Sequence, residues 1–325
     1  MSSAPQQSSV TPEKIMRYTW GYAPPLIIEA AIRNGFFDAL KDGSKTAAQV
    51  STATGASLRG VASILNALTG LELLDKNGES YSLTPDSRAF LVKGAPGYLG
   101  GMIEHMSSQL IPKWLDIADI VRAGHPTGGV NSVAEGTAFF EKLVPALFPF
   151  NYGAASAAGE TLGVANATAP VRVLDLAAGS GVWGIAIAQK SPQVEVTAID
   201  WPGVLEITRK TAAQFGLANR FSFIAGDLGE VNFGRGYNIA TLGHILHSEG
   251  VERSKALLRK TFDALAPGGT IVIAEFLVDP ERKTSTMGLI FDVNMLVNTE
   301  RGATYSFEEI RDWLSEAGFV KTGLG

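Results

Sequence analysis

The 325-residue chain contains no cysteine, so disulfides, thiolate nucleophiles and cysteine-based zinc or iron–sulfur centres are excluded together. Charge is sparse. Asp, Glu, Lys and Arg make up 18% of the residues and leave a net charge of −5, which provides no electrostatic footprint for nucleic acid or an anionic membrane. No run approaches the about 18 unbroken apolar residues of a membrane span, and the polar start MSSAPQQSSVTPEK lacks the apolar stretch of a secretory signal. These absences predict a soluble, cytoplasmic protein whose partners are small molecules and protein. Histidine is scarce as well: only His105, His125, His244 and His247 offer a side chain that titrates near neutral pH.

The length favours two domains over one core. Residues 1–108 are expected to form the first, and residues 109–325 a helical region followed by a second core from position 170 onward. From Ile15 to Leu40 an apolar helical pattern is broken by Pro24-Pro25, and its polar face is thin. Such a face needs a cover, which predicts a subunit interface and a homodimer. Residues 44–92 then read as short helix, Gly55 turn, longer helix and an Asn77-Gly78 hairpin, the order of a winged helix-turn-helix. Four cations (Lys45, Arg59, Lys76, Arg88) are balanced by four anions (Glu72, Asp75, Glu79, Asp86). A phosphate-reading face requires several unbalanced cations, so the module is expected to pack rather than to bind DNA.

Residues 95–168 are rich in Ala, Leu, Phe and Met. Core packing is the simple reading of that content, and a second is that Met102, Met106, Phe139, Phe140 and Phe150 wall an apolar ligand pocket. After Pro170, β-branched strands at 171–177, 194–200, 221–227, 237–245 and 270–276 alternate with helices, ending in a helix at SFEEIRDWLSEAG. This pattern implies an α/β fold with a mostly parallel, doubly wound sheet, and places any ligand outside the carboxyl ends of the strands.

At the first of those ends stands LDLAAGSGVWG, with a G-x-G-x-x-G at Gly179, Gly181 and Gly184. The spacing alone is that of a dinucleotide turn. Asp175, four positions before the first glycine, changes the reading, because a carboxylate there repels a pyrophosphate and attracts ammonium and sulfonium groups. Asp200, 19 residues after Gly181, suits the ribose hydroxyls of either cofactor. Asp227 in AGDLG suits the adenine amino group, with Leu228 against the ring. The three carboxylates together favour S-adenosylmethionine over NAD.

The run LDLAAGSGVWG, AIDWPGVLE, AGDLG, ILHSEG, ALAPGGTIVIAEF and EEIRDWLSEAGF resembles, in order and spacing, the class I O-methyltransferases of the plant caffeate and acetylserotonin type. Bacterial members of that family serve natural-product pathways. The resemblance implies a Rossmann-like methyltransferase domain preceded by a helical, winged-helix dimerisation domain. It also implies S-adenosylmethionine as cofactor, S-adenosylhomocysteine as product, and methyl transfer to a hydroxyl of an aromatic or polyketide-like small molecule. Trp201 and Gly243 join Asp175, Gly179, Gly181, Asp200, Asp227 and Leu228 as the implied cofactor contacts.

By the same resemblance His247 is the general base, Glu275 its orienting partner and Met295 a wall of the acceptor site; the apolar segment around Phe291 and the aromatic Phe150 point to the same pocket. The chain departs from the family at four points. The second acidic partner falls at Thr304, with Glu300 nearby; His-Asp-Trp becomes His247-Ser248-Glu249; a lysine becomes Gly243; and the sixth and seventh strands are unmatched after GFVKTGLG. No metal is assigned. An alternative takes His244-x-x-His247 with Glu249 as metal ligands for carbon methylation, provided the chain bends there. A ligand-binding winged-helix regulator is the alternative from another class.

Overall fold

The computed structural model describes residues 10–127 and 133–325; for 133–139, 141 and 142 it describes the backbone alone. It divides into two compact units, residues 1–107 and 108–325.

In the first unit, helix α1 (Ala23–Arg33) begins at its own Pro24-Pro25, where a missing N–H costs nothing. Strand β1 (Lys45–Thr46) leads into α2 (Ala47–Thr54), whose capping box pairs Thr46 with Gln49. Gly55, at φ +75, ends it before α3 (Leu58–Gly70). The hairpin β2 (Leu74–Asn77) and β3 (Ser80–Leu83) turns at Gly78, φ +56, completing a three-stranded sheet of order β1-β3-β2. Val61, Leu65 and Leu68 of α3 are fully buried with Phe36, Phe37 and Leu40, so the apolar face of the would-be recognition helix forms core.

After short helices at Ile111–Trp114 and Ile117–Ala123, the second unit runs through helix α4 (Val133–Thr161), β4 (Val171–Leu176), α5 (Val182–Lys190), β5 (Val194–Asp200), α6 (Pro202–Gln214), β6 (Phe221–Ala225) and β7 (Tyr237–Gly243). It closes with α7 (Val251–Ala264), β8 (Leu265–Ala274), β9 (Leu277–Val278), α8 (Thr286–Asn298), β10 (Tyr305–Ser306) and α9 (Phe307–Ala317). The five-stranded sheet is parallel, ordered β6-β5-β4-β7-β8, and β9 pairs separately with β10. The order reverses between β4 and β7, which sets the crevice for a ligand there. Leu174 and Leu176 face one core and Val173 the other, the alternation of a strand covered on both sides. Among the described residues no helix is long and apolar enough to cross a membrane.

Candidate active site

The turn after β4 is built around its glycines, each for a separate reason. Gly179 (φ +56) and Gly181 (φ +76) occupy the left-handed region, and a Cβ at Gly181 would lie 2.9 Å from Thr208 Cγ2. Gly184 lets α5 sit against the sheet, since a Cβ there would meet Val196 at 2.7 Å and Asp175 Oδ2 at 2.9 Å. Thr208 Oγ1 donates to the Gly179 carbonyl over 2.6 Å, tying the turn to α6.

Asp175 is buried beneath this turn. Its Oδ2 accepts from the Gly184 N–H (3.0 Å) and its Oδ1 from the Thr241 hydroxyl (2.7 Å). Burial pushes its carboxyl up to about 7 despite those two bonds. This corrects the expected direct contact with a cationic cofactor: strand alternation turns Asp175 toward α5, where it braces the turn. Asp200 does face the cleft, with Oδ2 accepting from Gly179 N–H (2.8 Å) and Oδ1 from Trp201 N–H (2.7 Å). Burial raises its carboxyl to about 6. Each oxygen keeps a lone pair for a further donor.

The cleft measures about 460 Å³ and lies along the carboxyl ends of the strands. Its walls take Ala177 to Ser180 after β4, Asp200 and Trp201 at the end of β5, Gly226 to Leu228 after β6, and Gly243, His244 and His247 at and beyond the end of β7. Asp227 accepts from Gly229 N–H (2.7 Å) and pairs with Arg253 (3.2 Å), which also binds Glu249. Glu249 is thereby part of an ion network. A Cβ at Gly243 would lie 2.1 Å from Trp183 Nε1, so the indole occupies the space of the lysine that the resemblance places there.

His247 stands at the cleft, and its Nδ1 lies 2.6 Å from Glu275 Oε2. Glu275 Oε1 accepts the N–H groups of Leu246 (2.7 Å) and His247 (3.3 Å). Both side chains are largely buried, at 12% and 4% exposure. Burial drives the Glu275 carboxyl up, but the charge and hydrogen bond of His247 outweigh it and hold it below the ordinary range. The Phe291 ring meets the imidazole edge-on at 5.0 Å and stacks on Phe276 at 4.1 Å, fixing the ring plane.

Of the other expected pocket residues, Phe140 lines the cleft. Phe150 is 53% exposed, while Phe140, Val144, Leu147 and Asn151 of the same helix line the cleft. Their 4-3-4 spacing is one face of a helix, a signal present in the sequence and outweighed there by aromatic character. Met295 is buried in α8 and Phe291 touches His247, but neither lines the cleft. Met102 and Met106 belong to the first unit, and the side chain of Phe139 lies outside the described residues. The 299–304 loop folds back, with Ala303 N–H donating to the His247 carbonyl (2.8 Å), and Glu300 reaches the cleft without bonding the imidazole. Thr304 is tied to Asp292 instead.

The second unit is thus a doubly wound α/β domain with a glycine turn braced by carboxylates and a His–Glu pair beyond the carboxyl ends of its last two parallel strands. Residues 160–320 match the O-methyltransferase domain and residues 16–93 the O-methyltransferase dimerisation domain. The chain belongs to the O-methyltransferase family that these two domains define. It is 29% identical to the 3-hydroxy-5-methyl-1-naphthoate 3-O-methyltransferase of Streptomyces sahachiroi, over 90% of this chain and 84% of that protein. It is 26% identical to the tetracenomycin polyketide synthesis 8-O-methyl transferase of Streptomyces glaucescens, over 95% and 91%. A solved structure from Nostoc punctiforme superposes with a TM-score of 0.88 at 28% identity, covering 97% of this chain and 94% of that one.

Proposed function

We propose that the second unit methylates a phenolic hydroxyl of an aromatic or polyketide-like acceptor, with His247 as general base and Glu275 as its positioning partner. The observation that carries this reading is the 2.6 Å contact between His247 Nδ1 and Glu275 Oε2 beside the cleft. A carboxylate accepts only, so Nδ1 carries the proton and Nε2 the lone pair.

The donor set suits the cofactor. Asp200 retains acceptor capacity for ribose hydroxyls, the backbone of Ala177 to Gly179 lines the cleft, and Leu228 offers an apolar contact beside Asp227. The volume falls within the ~300–1,000 Å³ of small-molecule sites. When bound, S-adenosylmethionine supplies an electrophilic methyl group. A phenol near pKa ~10 is a poor nucleophile until its proton is drawn away, which is the work of Nε2. As the imidazole gains that proton, Glu275 stabilises its charge and holds its plane. Positioning the hydroxyl in line with the methyl group supplies much of the remaining rate.

The relatives that act on a naphthoate and a polyketide support an aromatic acceptor, as does the Phe140, Val144 and Leu147 wall. The first unit supports a homodimer: Met16, Tyr18, Trp20 and Tyr22, at the start of the matched dimerisation domain, and Ile15 just ahead of it are all more than half exposed. Methyl-labelled S-adenosylmethionine incubated with a panel of phenols, catechols and keto acids tests the reaction. Label on oxygen supports it; label on carbon supports C-methylation instead.

A further inference from the structure

His244 combines three features that base catalysis by His247 does not use. It adopts φ +60, a left-handed conformation costly for a residue with a Cβ, immediately after β7 ends at Gly243. The chain bends there, and the bend brings the two histidines, three positions apart, to one side with ring centroids 6.3 Å apart. Its Nε2 lies 3.1 Å from Asn151 Oδ1, an acceptor, so Nε2 carries the proton and Nδ1 the lone pair. That Nδ1 is buried and has no hydrogen-bond partner among the described residues. An unpaired buried acceptor is costly, and a ligand to that nitrogen would recover the cost.

One ligand atom from each of His244, His247 and Glu275 lies within 4.8 Å of the others. Two imidazoles and a carboxylate suit a borderline divalent ion, and a donor's second nitrogen fixed by an outer carbonyl, here Asn151, is the arrangement that aims an imidazole at a metal. We infer that His244, His247 and Glu275 form a binding site for a divalent transition ion of the zinc or cobalt class, and that its occupation switches the base off.

The switching follows from electron counting. A neutral imidazole has one lone pair, so coordination through either nitrogen of His247 leaves none for the acceptor's proton. Metal-bound and base-competent His247 are therefore exclusive states. Only this consequence rests on the proposed function; the site itself does not. No electron is transferred and no covalent bond is made or broken, apart from any tautomeric shift of the His247 proton. Glu249, a ligand in the sequence-level alternative, is held by Arg253, and Glu275 takes its place.

The test is a Co²⁺ titration of the chelator-treated full-length protein, read by ligand-field absorption in the visible. A spectrum saturating at one equivalent is expected, abolished in His244→Ala and weakened about 10–100-fold in Asn151→Leu, which keeps the nitrogen but removes its anchor. Thermal melts establish that each variant is folded, and Asn151→Leu decides the matter if His244→Ala is not. The inference is overturned if no saturable spectrum forms, or if folded variants bind Co²⁺ like the parent chain. In a separate arm, Zn²⁺ should inhibit methyl transfer by the parent chain reversibly with chelator. The spectrum reads no methyl transfer, so its failure is distinguishable from failure of the O-methylation reading.

Discussion

The Gly184 N–H donates to Asp175 Oδ2 over 3.0 Å, which makes the carboxylate the floor of the glycine turn. Its raised pKa has a direct consequence. With an ordinary value of 3.8 in the unfolded chain and about 7 in the native one, the native state holds a proton that the unfolded chain has lost between those limits. Stability therefore falls as pH rises from 3.8 to about 7 and levels off above it; Asp200 adds the same trend up to about 6. Between pH 6 and pH 8 the two groups together remove about 1–2 kcal/mol from the cofactor-free protein. Denaturant unfolding of Asp175→Asn, which still offers an oxygen to Gly184, should show a flatter pH profile. An unchanged slope would refute this assignment.

Gly184→Ala pushes a methyl group into Val196 and Asp175, at 2.7 and 2.9 Å before relaxation. Overpacking of this kind costs about 1–3 kcal/mol. The measurement is urea unfolding, and a variant as stable as the parent would show that α5 can lift from the sheet at no cost.

Glu275→Gln keeps an oxygen near Nδ1 but removes the negative charge that supports a protonated imidazole. Turnover should fall by about 100-fold or more, with cofactor affinity by calorimetry unchanged. Parent-like turnover would show that Glu275 is only a support for the Leu246 and His247 backbone.

Leu147→Ala and Phe150→Ala separate the lining face of α4 from its solvent face. Truncating Leu147 should raise a Michaelis constant by about tenfold, from the burial of one leucine side chain. Truncating Phe150, which is 53% exposed, should leave both constants unchanged. The reverse pattern would place the acceptor against the other face.

The fold was legible wherever the signal was local. The strands fall within a few residues of expectation because β-branched runs and turn residues mark them directly. The exception, β8, starts at Leu265 instead of 270 because a register irregularity pairs Leu265 with Tyr237. The ends at His247 and Glu275 follow from motif order. What stayed hidden depends on direction and distance. Which way Asp175 points is set by strand alternation against α5, and the orientation of His244 by a backbone bend and by Asn151, 93 residues away. Gly243 is small because of Trp183, a relationship between strand end and helix that no spacing reveals.

The central claim is that His247 draws the proton from the acceptor hydroxyl. The most direct measurement is the rate of His247→Ala with a methyl-accepting phenol, followed from neutral pH upward. The claim predicts a loss of about 10²–10⁴-fold at neutral pH with cofactor affinity intact. It further predicts partial recovery as the pH approaches the phenol's own pKa of ~10, where solvent supplies the phenolate. Parent-like turnover of the variant at neutral pH would contradict it.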